Sequence, residues 1–192
     1  MKKFFLFFFL LFLLSCSNTN NKEIERLTKI NEKYDSDLFI LKQAEQANQE
    51  ILRRTIKYSG EKIESKSIFW GRDSLNTFTL NELAVKPRLI FCFSTNTCSP
   101  CVESAIEFIK EVFPDYTENE MIIITGDYPL RLRDSVYGKK MLSGITLPIN
   151  EIEVPFFFIL DKKMEVSLLH LFNKLNPDIT KVYLEEIKKK YD

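Results

Sequence analysis

Residues 91–101, FCFSTNTCSPC, hold three of the four cysteines of the 192-residue chain. Cys98 and Cys101 are spaced as Cys-x-x-Cys, and Cys92 lies inside an apolar run. Two thiols at that spacing can act as a reversible redox couple, supply half of a metal site, or close a structural clip. A mid-strand cysteine behaves as a small hydrophobe, so Cys92, between Phe91 and Phe93, reads as core filling. Cys98 falls where an apolar strand gives way to a helical pattern. The unpaired N–H groups and positive dipole end of a helix start favour a thiolate there. Cys101 lies one turn deeper, close enough to bridge Cys98 and to resolve a mixed disulfide formed on it. Ser99 and Pro100 complete the motif, and proline is tolerated in a first turn because its missing N–H would be unpaired anyway.

Zinc chemistry needs about four ligands, and this chain offers one Cys-x-x-Cys and one histidine, His170. Two thiolates with His170 could hold copper, but a lone histidine in a strand is more often satisfied in place. We therefore expect no metal and no cofactor. No Ser–His–Asp set, phosphate loop or glycine fingerprint occurs.

The elements that must position these residues are legible from periodicity. Residues 88–93, 121–125 and 154–160 are continuous apolar runs of strand length, as strands buried on both faces require. Residues 102–113 place Val102, Ala105, Ile106, Ile109 and Phe113 on one side of a helix that Pro114 stops. Shorter strands are expected at 66–70 and 74–80, and an antiparallel partner for the third long strand at 164–172. A charged helix is expected over 130–142, ended by Ser143-Gly144. Asn176-Pro177-Asp178 reads as cap, first-position proline and acidic first turn of a terminal helix over 177–190. The order is β-β-β-α-β-α-β-β-α, an α/β sheet with helices on both faces.

Upstream, residues 1–15 (MKKFFLFFFLLFLLS) join Lys2 and Lys3 to an apolar stretch at 4–14. That is a signal-peptide core, shorter than the roughly 20 residues a membrane helix needs. It ends Leu13-Leu14-Ser15-Cys16, which resembles a bacterial lipobox. The resemblance implies lipidation of Cys16, removal of 1–15, and a chain anchored on the periplasmic side of a bacterial membrane in the cell envelope, where disulfides persist. Such a chain carries 25 basic and 27 acidic residues, since the leader takes two of the 27 lysines and arginines with it and none of the 27 acids. Nothing in that balance points to nucleic acid. Residues 16–21 read as a flexible tether, 22–58 as a helical stalk with a break near Asp35–Asp37, and 59–192 as one domain. The stalk is amphipathic, with apolar Ile24, Leu27, Ile30, Tyr34, Leu38 and Leu41. Asn31 and Asn48 interrupt a heptad register over its whole length, leaving weak self-association as its expectation.

Taken together, residues 67–192 resemble the thioredoxin superfamily, closest to extracytoplasmic thiol–disulfide oxidoreductases related to cytochrome c maturation. The likeness lies in Phe78-Thr-Leu-Asn-Glu-Leu83, Cys98-Ser-Pro-Cys101, and Val154-Pro155 opening Phe-Phe-Phe-Ile-Leu-Asp161. It implies a thioredoxin-like fold and disulfide exchange with thiol or disulfide client proteins, coupled to a second thiol redox partner. It also implies a cis Pro155 beside the dithiol and a Val154 backbone that pairs with the client. The chain departs from the family in three places. Thr97 stands where an aromatic residue usually precedes the first cysteine, Cys92 where a buried acid or Asn is frequent, and Asp161-Lys162-Lys163 where a turn glycine is usual. Glu103 or water would then have to assist proton transfer at Cys101. The rival expectation is a redox-inert binding module with a permanent Cys98–Cys101 disulfide; a third is a structural lipoprotein whose stalk does the binding.

Overall fold

The computed structural model describes residues 2–64, 67–71, 75–94, 96–115, 121–125, 135–136, 139–145, 147 and 153–191, with side chains described from residue 21 onward except at 125, 135, 136 and 139. The elements in chain order are α1 (Lys2–Tyr58), β1 (Phe69–Trp70), α2 (Leu80–Leu83), β2 (Arg88–Phe93) and α3 (Ser99–Val112). They continue with β3 (Met121–Thr125), β4 (Ser135–Val136), β5 (Lys139–Ser143), β6 (Phe156–Leu160), β7 (Ser167–Leu171) and α4 (Asp178–Tyr191). The chain divides into two compact units, Met1–Gln46 and Ala47–Asp192.

The second unit is built on one mixed sheet of order β1-β5-β3-β2-β6-β7, with β4 paired to β5. Strands β2 and β3 run parallel, as a crossover through a helix requires, while β6 is antiparallel to both β2 and β7. Period-two alternation along β2 sends Leu89, Phe91 and Phe93 to one face and Ile90 and Cys92 to the other. On the first face they meet Cys101, Val102, Ala105, Ile106, Ile109 and Val112 of α3 and Leu184 and Ile187 of α4. On the second they meet Leu80 of α2, Ile63, Ile68 and Tyr58 at the end of α1, with Ile51 packed alongside. Both faces are thus covered, which is why β2, β3 and β6 read as unbroken apolar runs. The β3-β2-β6-β7 order, with α3 joining β2 to β3 and α4 following β7, is the thioredoxin-like arrangement expected of the sequence.

The structure corrects three expectations. Residues 139–142 are not helical: they lie in β5, parallel to β3 and antiparallel to β1, with Met141, Leu142 and Ser143 buried. Lys139-Lys140 followed by a glycine resembles a charged helix end, but a buried slot beside β3 takes the segment as a strand. The first part of that expected helix, 130–134, lies outside the described residues. Second, α1 is continuous from Lys2 to Tyr58, so residues 16–21 are helical where a tether was expected, and there is no break at Asp35–Asp37. No proline or glycine occurs before Gly60 to interrupt its hydrogen-bond ladder. Its last residues, from Ala47, belong to the second unit. Third, no cis peptide bond occurs among the described residues, and Val154–Pro155 is trans. Trans is the lower-energy isomer of an X-Pro bond unless its surroundings impose cis.

At the two expected short strands, Phe69–Trp70 forms β1, and among the described residues the second contributes the bridge of Phe78 to Ile68. Gly144 closes β5 with φ +87°, and a Cβ there would run into the Ser67 carbonyl. Only glycine suits that position. The β6–β7 turn does without glycine: the Asp161 carboxylate accepts the Lys163 N–H at 2.8 Å, and Met164 takes the left-handed φ of 59°.

Candidate active site

Helix α3 exists because its apolar residues recur on one face and bury there against the sheet. Its N-cap is Cys98, at φ −51° and ψ 111°, whose carbonyl accepts the Val102 N–H at 3.1 Å, and Pro100 lies in its first turn. The cap brings the Cys98 sulfur to the end of the helix where unpaired N–H groups and the dipole stabilise an anion. Cys101, inside the first turn, is 5% exposed and lies on the buried face of α3, whereas Cys98 is only half-buried. The two are joined in a disulfide with their Cα atoms 5.2 Å apart, within the ordinary range for such a bond. The pair is asymmetric in access, so an incoming sulfur reaches Cys98 first.

The turn before the disulfide is held from within. The Thr97 N–H donates to the Ser94 carbonyl at 3.1 Å, and Thr97 Oγ1 accepts the Ser94 N–H at 2.8 Å and lies 3.2 Å from Ser94 Oγ. Thr97 is therefore buried and turned inward, in place of the expected aromatic residue. Ser99 and Pro100 are exposed beside the disulfide. Glu103 is also exposed and takes the Ser99 hydroxyl at 3.5 Å, at the limit of a hydrogen bond.

The Val154–Pro155 segment comes to the same place. The Cys98 N–H donates to the Glu153 carbonyl at 3.2 Å, and the Pro155 carbonyl accepts the Phe172 N–H at 2.9 Å. Val154 is half-buried against the core and Pro155 is buried. Proline suits this position, one residue ahead of β6, where no ladder N–H is required of it. The structure thus brings Cys98, Cys101, Ser99, Pro100, Val154 and Pro155 into one neighbourhood.

Cys92 and His170 stand apart from it. Cys92 is unpaired by disulfide, fully buried, and opposite Ile124 and Phe156 in the sheet. It belongs to the cluster on the other sheet face from that of Cys101, and burial pushes its thiol well above the ordinary range. His170 lies in β7 with its Nε2 3.0 Å from Thr180 Oγ1 and its ring stacked on Tyr183, centroids 4.6 Å apart. Burial holds its pKa down to about 4. Among the described residues, no three His, Cys, Asp or Glu side chains gather as a metal site would need. Cys16 lies in α1, and its side chain is outside those described.

Two contributors to the site left no mark in the motif pattern. Ser94 could have been found, because Ser and Thr three residues apart before a helix commonly close a local turn. Glu153 could not, since its role is carried by a backbone carbonyl far along the chain.

No family model and no curated protein matches this chain. Solved structures of similar path include an uncharacterized thioredoxin-like protein from Porphyromonas gingivalis, with 18% identity and a TM-score of 0.46. That match covers 70% of this chain and 96% of the other. A candidate protein disulfide isomerase from Bacteroides thetaiotaomicron gives 17% and 0.47, covering 69% and 89%. A thiol-disulfide isomerase from Corynebacterium glutamicum gives 11% and 0.36, covering 66% and 96%. At those levels the fold assignment rests on this chain's own strand order and helix placement. By that order, the chain has a thioredoxin-like fold that carries a Cys-x-x-Cys disulfide at the start of α3.

Proposed function

We propose that the chain is an extracytoplasmic, lipid-anchored thiol–disulfide oxidoreductase, with Cys98 as the exchanging sulfur and Cys101 as the resolving one. The observation that carries this reading is the unequal access of the two bonded cysteines at a helix N-terminus. With the pair oxidised, a client thiolate attacks Cys98 Sγ, the Cys98–Cys101 bond breaks, and Cys101 leaves as a thiolate. The client's second thiolate then attacks its own sulfur in the mixed disulfide. It leaves with a disulfide, and Cys98 and Cys101 keep the two electrons and take up the two protons. Reduction of a client disulfide is the same sequence reversed, with a thiol redox partner restoring the starting state.

The helix end stabilises the Cys98 thiolate, which leaves when an oxidised client departs and attacks when a client disulfide is reduced. Ser99, Pro100, Val154 and Pro155 form the rim against which a client chain would lie, and no cofactor is required. Cys16 would carry the lipid that holds the protein at the periplasmic face of a membrane. Among the described residues no helix is long and apolar enough to cross one.

Trapping tests the assignment of roles. Cys101→Ala leaves an attacking thiol without its resolver, so client proteins should accumulate as mixed disulfides on non-reducing gels. Cys98→Ala should trap none. Equal trapping by both variants, or by neither, would contradict these roles and favour a fold that binds without exchanging.

A further inference from the structure

We propose that the Ile24–Leu41 part of α1 pairs in parallel with the same segment of a second copy of this chain. The idea is independent of the thiol chemistry and stands or falls separately from it.

The structure changes how the stalk's apolar residues are to be counted. From Ala47 onward α1 belongs to the second unit, where Ile51 packs on the core, Tyr58 is buried, and Asn48 Oδ1 accepts the Asn173 amide at 2.9 Å. Those residues are satisfied within one chain. The apolar residues before Gln46 are not: Ile24, Leu27, Tyr34, Leu38 and Leu41 are each more than half exposed on an unbroken helix. Single exposed apolar residues are ordinary, whereas a repeating row on one helix marks a surface awaiting a partner.

The row has the spacing of a two-stranded coil. With Ile24 at position a, Leu27 is d, Asn31 a, Tyr34 d, Leu38 a and Leu41 d. The outermost f positions are Lys29, Ser36 and Gln43, all polar. The register fails only at Glu45 and Asn48, where the helix passes into the second unit. Asn31, which breaks the pattern when the whole helix is read, becomes the single polar a position. A lone a-position Asn fixes register and favours two parallel strands, because its amides can meet only each other across the seam. Parallel pairing also sets Asp37 (g) against Lys42 (e) of the second copy, opposite charges at the flank of the Leu38–Leu41 layer. Phe39 and Ile40 fall at b and c and stay outside the seam. The register covers roughly three heptads, near the minimum for a coiled coil, so pairing is concentration-dependent.

The test uses the full chain in mild detergent, weighed by sedimentation equilibrium. The expected mass at high loading is twice that of one chain, falling toward one on dilution. Leu38→Asp should give a single-chain mass at every loading, while Gln43→Asp, the same charge on the outer face, should not. Near-ultraviolet circular dichroism from Trp70 checks that the second unit remains folded in each variant. Under mild oxidation Asn31→Cys should cross-link two chains, and Lys29→Cys should not exceed the parent background. A single-chain mass for the unaltered protein at all loadings, equal dissociation by both Asp variants, or equal cross-linking from 31 and 29 would overturn the proposal.

Discussion

The Cys98 N–H and the Glu153 carbonyl share a hydrogen bond of 3.2 Å, which ties the start of α3 to the segment that enters Pro155. Fifty-five positions separate the two residues (153 − 98). The bond spends one of the orphan N–H groups of the helix end on positioning. It also ties the segment that enters Pro155, one residue ahead of β6, to Cys98, one residue ahead of α3.

The reduced protein should show two classes of thiol. Cys98, half-buried at a helix end, should react with iodoacetamide readily. Cys92, buried on the opposite sheet face with its thiol pushed up by desolvation, should react only through global opening. At pH 8 the rate ratio should exceed about 100-fold, and denaturant should abolish it. Mass spectrometry of each cysteine peptide over time measures both rates. Comparable native rates would mean that Cys92 is not core.

Stability should fall on acidification partly through His170. Its folded pKa of about 4 lies below the ordinary 6.5, so as pH drops the unfolded chain takes up this proton first. The loss begins near pH 6.5, reaches about 3 kcal/mol by pH 4 and then levels off, with no contribution above pH 7. Carboxylates titrate over part of the same range, so the reading is the difference from His170→Gln, which should lose less stability between pH 7 and pH 4. Urea unfolding at a series of pH values checks it.

Removing the Thr97 hydroxyl should loosen the turn that presents Cys98. Thr97→Val keeps the shape but leaves the Ser94 N–H without its 2.8 Å acceptor, at a cost of about 1–2 kcal/mol. Thr97→Ser keeps the acceptor and should recover most of the loss. Chemical denaturation of the oxidised proteins measures both.

Much of this fold is legible in the sequence, and what is not has physical causes. Strands β2 and β3 are found at their expected ends, since a strand buried on both faces leaves an unbroken apolar signature bounded by polar residues. The Cys98–Cys101 pairing agrees with the spacing and with the strand-to-helix position. β5 reads as a helix because Lys139 and Lys140 mask a strand whose buried part is only Met141, Leu142 and Ser143. The Glu153 contact is invisible because a backbone acceptor leaves no residue-type signal. The trans Pro155 departs from what the family resemblance implied, and no local feature of Glu153-Val154-Pro155 could have announced it. The stalk's pairing pattern emerges only once the structure shows which part of α1 the domain already uses.

Cys16→Ala should release the protein from membranes without altering its fold or thiol reactivity, because the anchor would reside in the attached lipid and in no mature helix. Fractionation of cells expressing the variant measures this. Sedimentation with membranes after a high-salt wash would contradict the lipid-anchor reading.

The reduction potential of the Cys98–Cys101 pair tests the central claim most directly. Equilibration against glutathione and dithiothreitol buffers, followed by alkylation and mass spectrometry, gives it. An exchanging couple should fall between roughly −270 and −120 mV, the span of thioredoxin-fold reductants and oxidants. A bond that ordinary dithiols fail to open, with a potential below about −300 mV, is that of a structural disulfide and would contradict the account.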